Sequence, residues 1–151
     1  MTGEAPLRGL FDTNIVIHLA ALDPAELPDE MVISAVTLAE LSAGPHHTDD
    51  PGERARRMSV LQHVEATFDP LPFDAEAARA FGLISAAVLA AGRGTRRRIA
   101  DLMIVSVAHS NGLPLYTTNP ADFNGLDQLA VAGLDVGDVH GRDHRRLSVG
   151  S

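Results

Sequence analysis

Leu10-Phe11-Asp12-Thr13-Asn14-Ile15-Val16-Ile17 is the stretch on which the fold turns. A short apolar run from Leu7 to Phe11 ends at Asp12, after which Ile15, Val16 and Leu19 recur at helical spacing until Asp23-Pro24 breaks the pattern. That is a strand, a turn and a helix, with an acid at the handover. Moving outward, Met31-Val32-Ile33 predicts a second buried strand, and Ser34 caps a helix in which Val36, Ala39 and Ala43 share one face with Glu40 beside them. Gly44-Pro45 ends that helix, and Asp49-Asp50-Pro51-Gly52 opens another over Glu53 to Phe68, with Met58, Leu61, Val64 and Phe68 at helical spacing. Pro70-Leu71-Pro72-Phe73 reads as a short extended piece, and Asp74 caps an alanine-rich helix that runs to Ala91. Beyond the break at Gly92-Arg93-Gly94-Thr95, a helix from Arg97 to Ser110 carries Ile99, Met103 and Val107 and ends at Asn111-Gly112. Leu115 to Thr118 is a strand, Pro120 to Phe123 a single turn, and Leu134-Asp135-Val136 an edge strand.

Short strands that alternate with helices imply an α/β protein with a mostly parallel central sheet and helices on both faces, a three-layer α/β/α arrangement. At 151 residues and 45% apolar, the chain is sized for one domain. Residues 1–136 are assigned to that domain, and 137–151, rich in Gly, Asp, His, Arg and Ser, to a mobile tail. The sequence has no long apolar span and no basic-then-apolar leader, so the expectation is a cytoplasmic protein with no membrane association. The absence of cysteine removes disulfides, zinc-thiolate sites and thiol catalysis, and leaves oxygen as the natural metal donor.

Three acids stand where a strand pattern hands over to a helix or just inside the helix that follows: Asp12, Glu40 and Asp101. A sheet gathers carboxylates at its carboxyl edge in this way. Taken singly, each has a plain structural role: Asp12 and Asp101 as helix caps or dipole partners, Glu40 as a surface residue, Asp122 as the cap of a turn. Their joint recurrence among apolar neighbours points instead to a hard cation, Mg²⁺ or Mn²⁺. A net charge of −8 argues against a general nucleic-acid coat protein but leaves room for a nuclease. Arg93, Arg96, Arg97 and Arg98 stand just before Asp101 as a candidate RNA-contacting rim, with a solvated loop and helix start as the alternative. Among the histidines, His46-His47 reads as a solvated loop, His18 and His109 as packing residues, and His140 and His144 as part of the tail.

With these segments in place, the chain resembles the PIN-domain family, and within it the VapC-type toxins of toxin–antitoxin pairs. The motifs that carry the resemblance are Phe11-Asp12-Thr13-Asn14, Thr37-Leu38-Ala39-Glu40-Leu41, Asp101-Leu102-Met103-Ile104 leading to Asn111-Gly112, and Thr117-Thr118-Asn119-Pro120-Ala121-Asp122-Phe123. The resemblance implies a Mg²⁺- or Mn²⁺-dependent endoribonuclease that hydrolyses RNA with a metal-activated water, is inhibited by a cognate VapB-like antitoxin, and forms a homodimer. Asp12, Glu40 and Asp101 match the family's metal ligands, and Asn14 and Thr118 its orienting positions. Asn119 stands where many relatives have aspartate, with Asp122 as the acid near the fourth position. The alternatives are a PIN-fold protein that binds RNA or a partner with little catalysis, which Asn119 alone supports, and an aspartyl-nucleophile phosphatase. The second needs an acid two residues after the first and finds Asn14.

Overall fold

Successive residues of the strands point to opposite sides of a single parallel sheet, so the sheet needs cover on both faces. The computed structural model describes residues 8–94, 98–123, 126 and 131–134. Its strands β1 (Arg8–Phe11), β2 (Glu30–Val32), β3 (Leu115–Thr117) and β4 (Val131–Gly133) lie in the order β2-β1-β3-β4. Leu10 pairs with Val32 and with Leu115, Phe11 with Tyr116, and Leu115 with Val131, every pairing parallel. Leu10, Val32 and Leu115 enter one core with Ala77, Ile84 and Val88 of α4 (Ala75–Ala90) and Leu102 and Val105 of α5 (Ile99–Ser110). Phe11, Ile33 and Tyr116 enter the other. They meet Ile15 and Val16 of α1 (Thr13–Ile17), Leu41 of α2 (Ala35–Ala43) and Val64 of α3 (Pro51–Thr67). The expected three-layer arrangement is present. The extended piece at Leu71 lies beside the end of β2, with Leu71 N–H donating to Ile33 O at 2.9 Å and Ala35 N–H to Leu71 O at 2.7 Å.

Four helices start by one device. Asp12, Ser34, Asp50 and Asp74 each accept the backbone N–H three residues on, at 3.0, 3.1, 2.9 and 3.0 Å. Each such cap satisfies an orphan donor and contributes about 1 kcal/mol. Gly112, at φ +64°, turns the chain out of α5 toward β3, a left-handed conformation that side chains resist.

Several sequence expectations shift. The edge strand expected at Leu134-Asp135-Val136 lies earlier, at Val131–Gly133. Its place comes from pairing with β3 and from the close approach of Gly133 to Pro120. Leu134 follows it, buried, with its N–H donating to Thr117 O at 2.8 Å. Residues 135 and 136, and the expected tail over 137–151, lie outside the described residues. On α2 the buried residues are Thr37 and Leu41, while Ala39 is exposed. Thr37, though polar, is buried because its hydroxyl finds a partner, 3.2 Å from that of Thr13. Met58 and Ile99, members of the apolar periodicity of their helices, are exposed. Among the described residues, no helix is long and apolar enough to cross a membrane.

Candidate metal centre

Parallel pairing brings the carboxyl ends of β1 and β3 to one edge, where the ladder opens toward the helices. Asp12 stands there. Its N–H donates to Tyr116 O at 3.0 Å, so its backbone still belongs to the sheet. Its carboxylate accepts Ile15 N–H at 3.0 Å, and the Thr117 side chain and the Asn14 backbone lie near enough to favour its charged form. The Thr117 oxygen itself accepts Asn119 N–H at 3.1 Å, which leaves the hydroxyl proton free to point at Asp12. Thr117, and not the expected Thr118, lies on the side of Asp12. The reason is phase. Phe11 pairs with Tyr116, so the next residues in register, Asp12 and Thr117, share a face, whereas Thr118 is one residue out of step. Asn14 contributes its backbone to Asp12 and sits, exposed, on the wall of the cleft.

Asp101 lies in the first turn of α5, across the same cleft. Burial pushes the carboxyls of both Asp12 and Asp101 above the ordinary 3.8, and the charge of Asp101 raises Asp12 further. Arg98 pulls Asp101 down, and Asp122 pushes it up. Asp122 is thus the acid from the β3 turn whose charge reaches Asp101. Asn119 is exposed at the head of that turn, its carbonyl accepting Asp122 N–H at 3.1 Å. Glu40 sits on α2, held by the Thr13 hydroxyl, which donates to Oε1 at 2.7 Å. Asp12, Thr13, Asn14, Glu40 and Asp101 line one cleft of about 660 Å³. As these side chains are placed, no three acids or histidines among the described residues stand close enough to share one ion. The donor chemistry nevertheless fits a hard cation. The donors are oxygen only, from separate elements, and two of the carboxyls are partly desolvated and repel each other, a strain that positive charge relieves.

The arginine run proves partly structural. Arg93 Nη1 and Arg98 Nη2 donate to the Asp122 carbonyl at 3.1 and 2.6 Å, and the Arg98 guanidinium lies 5.6 Å from the Phe123 ring centroid. These two side chains brace the Pro120–Phe123 turn instead of forming an open rim. Arg96 and Arg97 lie outside the described residues. Sequence reasoning missed the opposite wall of the cleft, formed by Glu53, Arg56 and Arg57 of α3, together with His18, which was read as a packing residue. The spacing Glu53-x-x-Arg56-Arg57 was visible, but nothing local says which way α3 faces.

Carboxylates from a strand end and two helices line one cleft beyond the carboxyl ends of a parallel sheet, an oxygen-donor set of the kind that a hard divalent cation takes. The model of the PIN domain matches residues 10–129, and the chain belongs to the PIN-domain family. It is 38% identical over 128 residues to ribonuclease VapC5 of Mycobacterium tuberculosis, covering 83% of this chain and 92% of that protein. It is 33% identical over 130 residues to the tRNA(fMet)-specific endonuclease VapC of Shigella flexneri, covering 82% of this chain and 95% of that one. Among solved structures, VapBC-5 of M. tuberculosis, a member of the VapBC family of toxin–antitoxin systems, superimposes with a TM-score of 0.74 at 35% identity. That match covers 85% of this chain and 99% of the other.

Proposed function

We propose that this chain is a VapC-type endoribonuclease toxin that hydrolyses RNA phosphodiester bonds with the help of Mg²⁺ or Mn²⁺, and that a cognate VapB-like antitoxin holds it inactive in the cytoplasm. The observation that carries the reading is the convergence of Asp12 from the end of β1 and Asp101 from the first turn of α5 on one cleft, in a chain with ribonuclease relatives at 38% and 33% identity. Asp12 and Asp101 are the residues we assign to the ion, with Glu40 and Asp122 alongside. When bound, a divalent ion supplies charge relief on the phosphoryl oxygens and lowers the pKa of a water at the site.

The chain's own part is placement. Ile15 N–H fixes the rotation of the Asp12 carboxylate, with the Thr117 side chain beside it, and Thr13 sets Glu40. Arg93 and Arg98 hold the turn that carries Asp122. The binding-only alternative rested on Asn119, and the proximity of Asp122 to Asp101 weakens that support. For the antitoxin, we assign the apolar groove of about 340 Å³ between α1 and α3, lined by Val16, Ile17, Leu19, Val60, Val64 and Phe68. It runs into the acidic cleft through Ile17 and Val60, which line both. The homodimer remains part of this reading, and α4 offers it Leu83 and Leu89, 75% and 59% exposed.

The test is cleavage of total cellular RNA by the purified protein with Mg²⁺ or Mn²⁺, with EDTA, and with Asp12→Asn or Asp101→Asn. The expected result is discrete fragments that vanish with EDTA and fall at least about 100-fold in either variant. A well-folded, antitoxin-free protein that cuts no RNA pool in either metal would sink the reading.

A further inference from the structure

The cleft wall facing the carboxylates has a composition that ion binding does not explain. Glu53, Arg56 and Arg57 reach it from consecutive turns of α3, opposite Asp12, Asn14, Glu40 and Asp101. The Glu53 carboxylate takes both guanidinium groups. Oε2 accepts Arg56 Nε at 3.0 Å and also Arg56 Nη2, and Oε1 accepts Arg57 Nε at 3.1 Å. The two arginines are not equivalent. Arg57 also donates Nη1 to Gly44 O at 2.8 Å, which ties it to the end of α2. Arg56 donates only to Glu53 among the described residues, and its side chain is 72% exposed.

The Nε and Nη2 N–H groups of Arg56 converge on one carboxylate oxygen while Arg57 Nε takes the other, and the oxygens of a phosphate can accept the same donors. The acids of the cleft repel a polyanion, and among the described residues the arginines lining it are Arg56 and Arg57. An exposed ion pair within one helix is weak, so an incoming anion can exchange with it.

We propose that Arg56 and Arg57 form a phosphate-binding subsite for the RNA backbone, in which Glu53 stands in for the phosphate and keeps the two guanidinium groups aligned until RNA displaces it. This deepens, and rests on, the endoribonuclease reading. Arg57, tied to Gly44, is the fixed half of the subsite, and Arg56 is the half that swings to the ligand.

The test uses the full chain, free of antitoxin, and a labelled single-stranded RNA of mixed sequence. Binding is followed by anisotropy in EDTA across a salt series, and cleavage of the same RNA is followed with Mg²⁺. Arg56→Gln is expected to weaken binding about three- to tenfold and to reduce the slope of log affinity against log salt by about 0.7, one phosphate contact on a single strand. KM rises with kcat nearly unchanged. Arg56→Lys restores most of the slope. Glu53→Gln removes the internal competitor and tightens binding, while the α3 cap survives because Asp50 accepts the Glu53 backbone N–H.

An unchanged affinity and slope in Arg56→Gln overturns the subsite, as does weaker binding in Glu53→Gln or failure of Arg56→Lys to recover the slope. The two readings separate cleanly. Cleavage that Arg56→Gln matches in KM and salt slope removes the subsite and leaves the ribonuclease, whereas the expected binding changes without cleavage by any protein leave the subsite and remove the ribonuclease.

Discussion

Asp12 accepts Ile15 N–H and has the Asn14 backbone and the Thr117 side chain beside it, and its pKa is nonetheless raised, because burial outweighs them and Asp101 adds like charge. The sign for stability follows from proton binding. The folded carboxyl holds its proton to higher pH than the ordinary 3.8, so in metal-free protein its contribution is favourable in acid and is lost as pH rises through the raised value. Asp101 acts in the same direction. Asp12→Asn should therefore raise the metal-free Tm at neutral pH, on the order of 2–4 °C, since asparagine caps α1 as well as aspartate does and carries no charge. Its stability should also depend less on pH than that of the parent between about pH 4 and pH 7. Thermal melts in EDTA across that range measure both, and a lower Tm for the variant would show that the hydrogen bonds outweigh the desolvation. On the proposed reading the same substitution should lower cleavage at least about 100-fold, which would place function and stability in opposition at this residue.

At the scale of elements, the centre depends on how β1 meets β3. Gly9 makes that meeting possible: a Cβ there would lie 2.2 Å from Tyr116 Cε2 and 3.2 Å from Pro28 Cγ. The Tyr116 ring is buried at that spot, edge-on to Phe11 with centroids 5.4 Å apart, and cannot yield without disturbing the second core. Gly9→Ala should cost about 2–3 kcal/mol through overpacking, seen as a lower urea midpoint at unchanged m. Because the ring anchors the register that sets Asp12 beside Thr117, cleavage per folded molecule should fall as well. A midpoint equal to that of the parent would show that the ring has room to move. The β3–β4 turn is secured from another element altogether, by Arg93 and Arg98 at the Asp122 carbonyl.

Across the whole molecule, the acids of the cleft come from β1, α2 and α5, which meet only when the chain is folded. A cation held by them binds the native state and not the unfolded one, so it stabilises by mass action. Mg²⁺ or Mn²⁺ at about 100 times its dissociation constant should add roughly 2.7 kcal/mol and raise Tm by roughly 5–10 °C. Asp101→Asn should remove most of that increment. A Tm indifferent to either ion in the parent protein would mean that these carboxylates do not form the ion site.

The order of the helices and of the first three strands, and the caps at Ser34, Asp50 and Asp74, can be read along the chain, as can Asp12, Glu40 and Asp101 as candidate acids. These are local matters: each depends on residues within a turn or two, so periodicity and capping chemistry suffice to read them. Folding places Thr117 and not Thr118 on the side of Asp12, brings the charge of Asp122 to Asp101, and sets Arg93 and Arg98 on the Asp122 carbonyl while Arg56 and Arg57 line the cleft. It also places the edge strand at Val131–Gly133. Each of these depends on register between distant strands or on which way a helix is rotated, and both are set by packing across the two cores and by no pattern within a single segment.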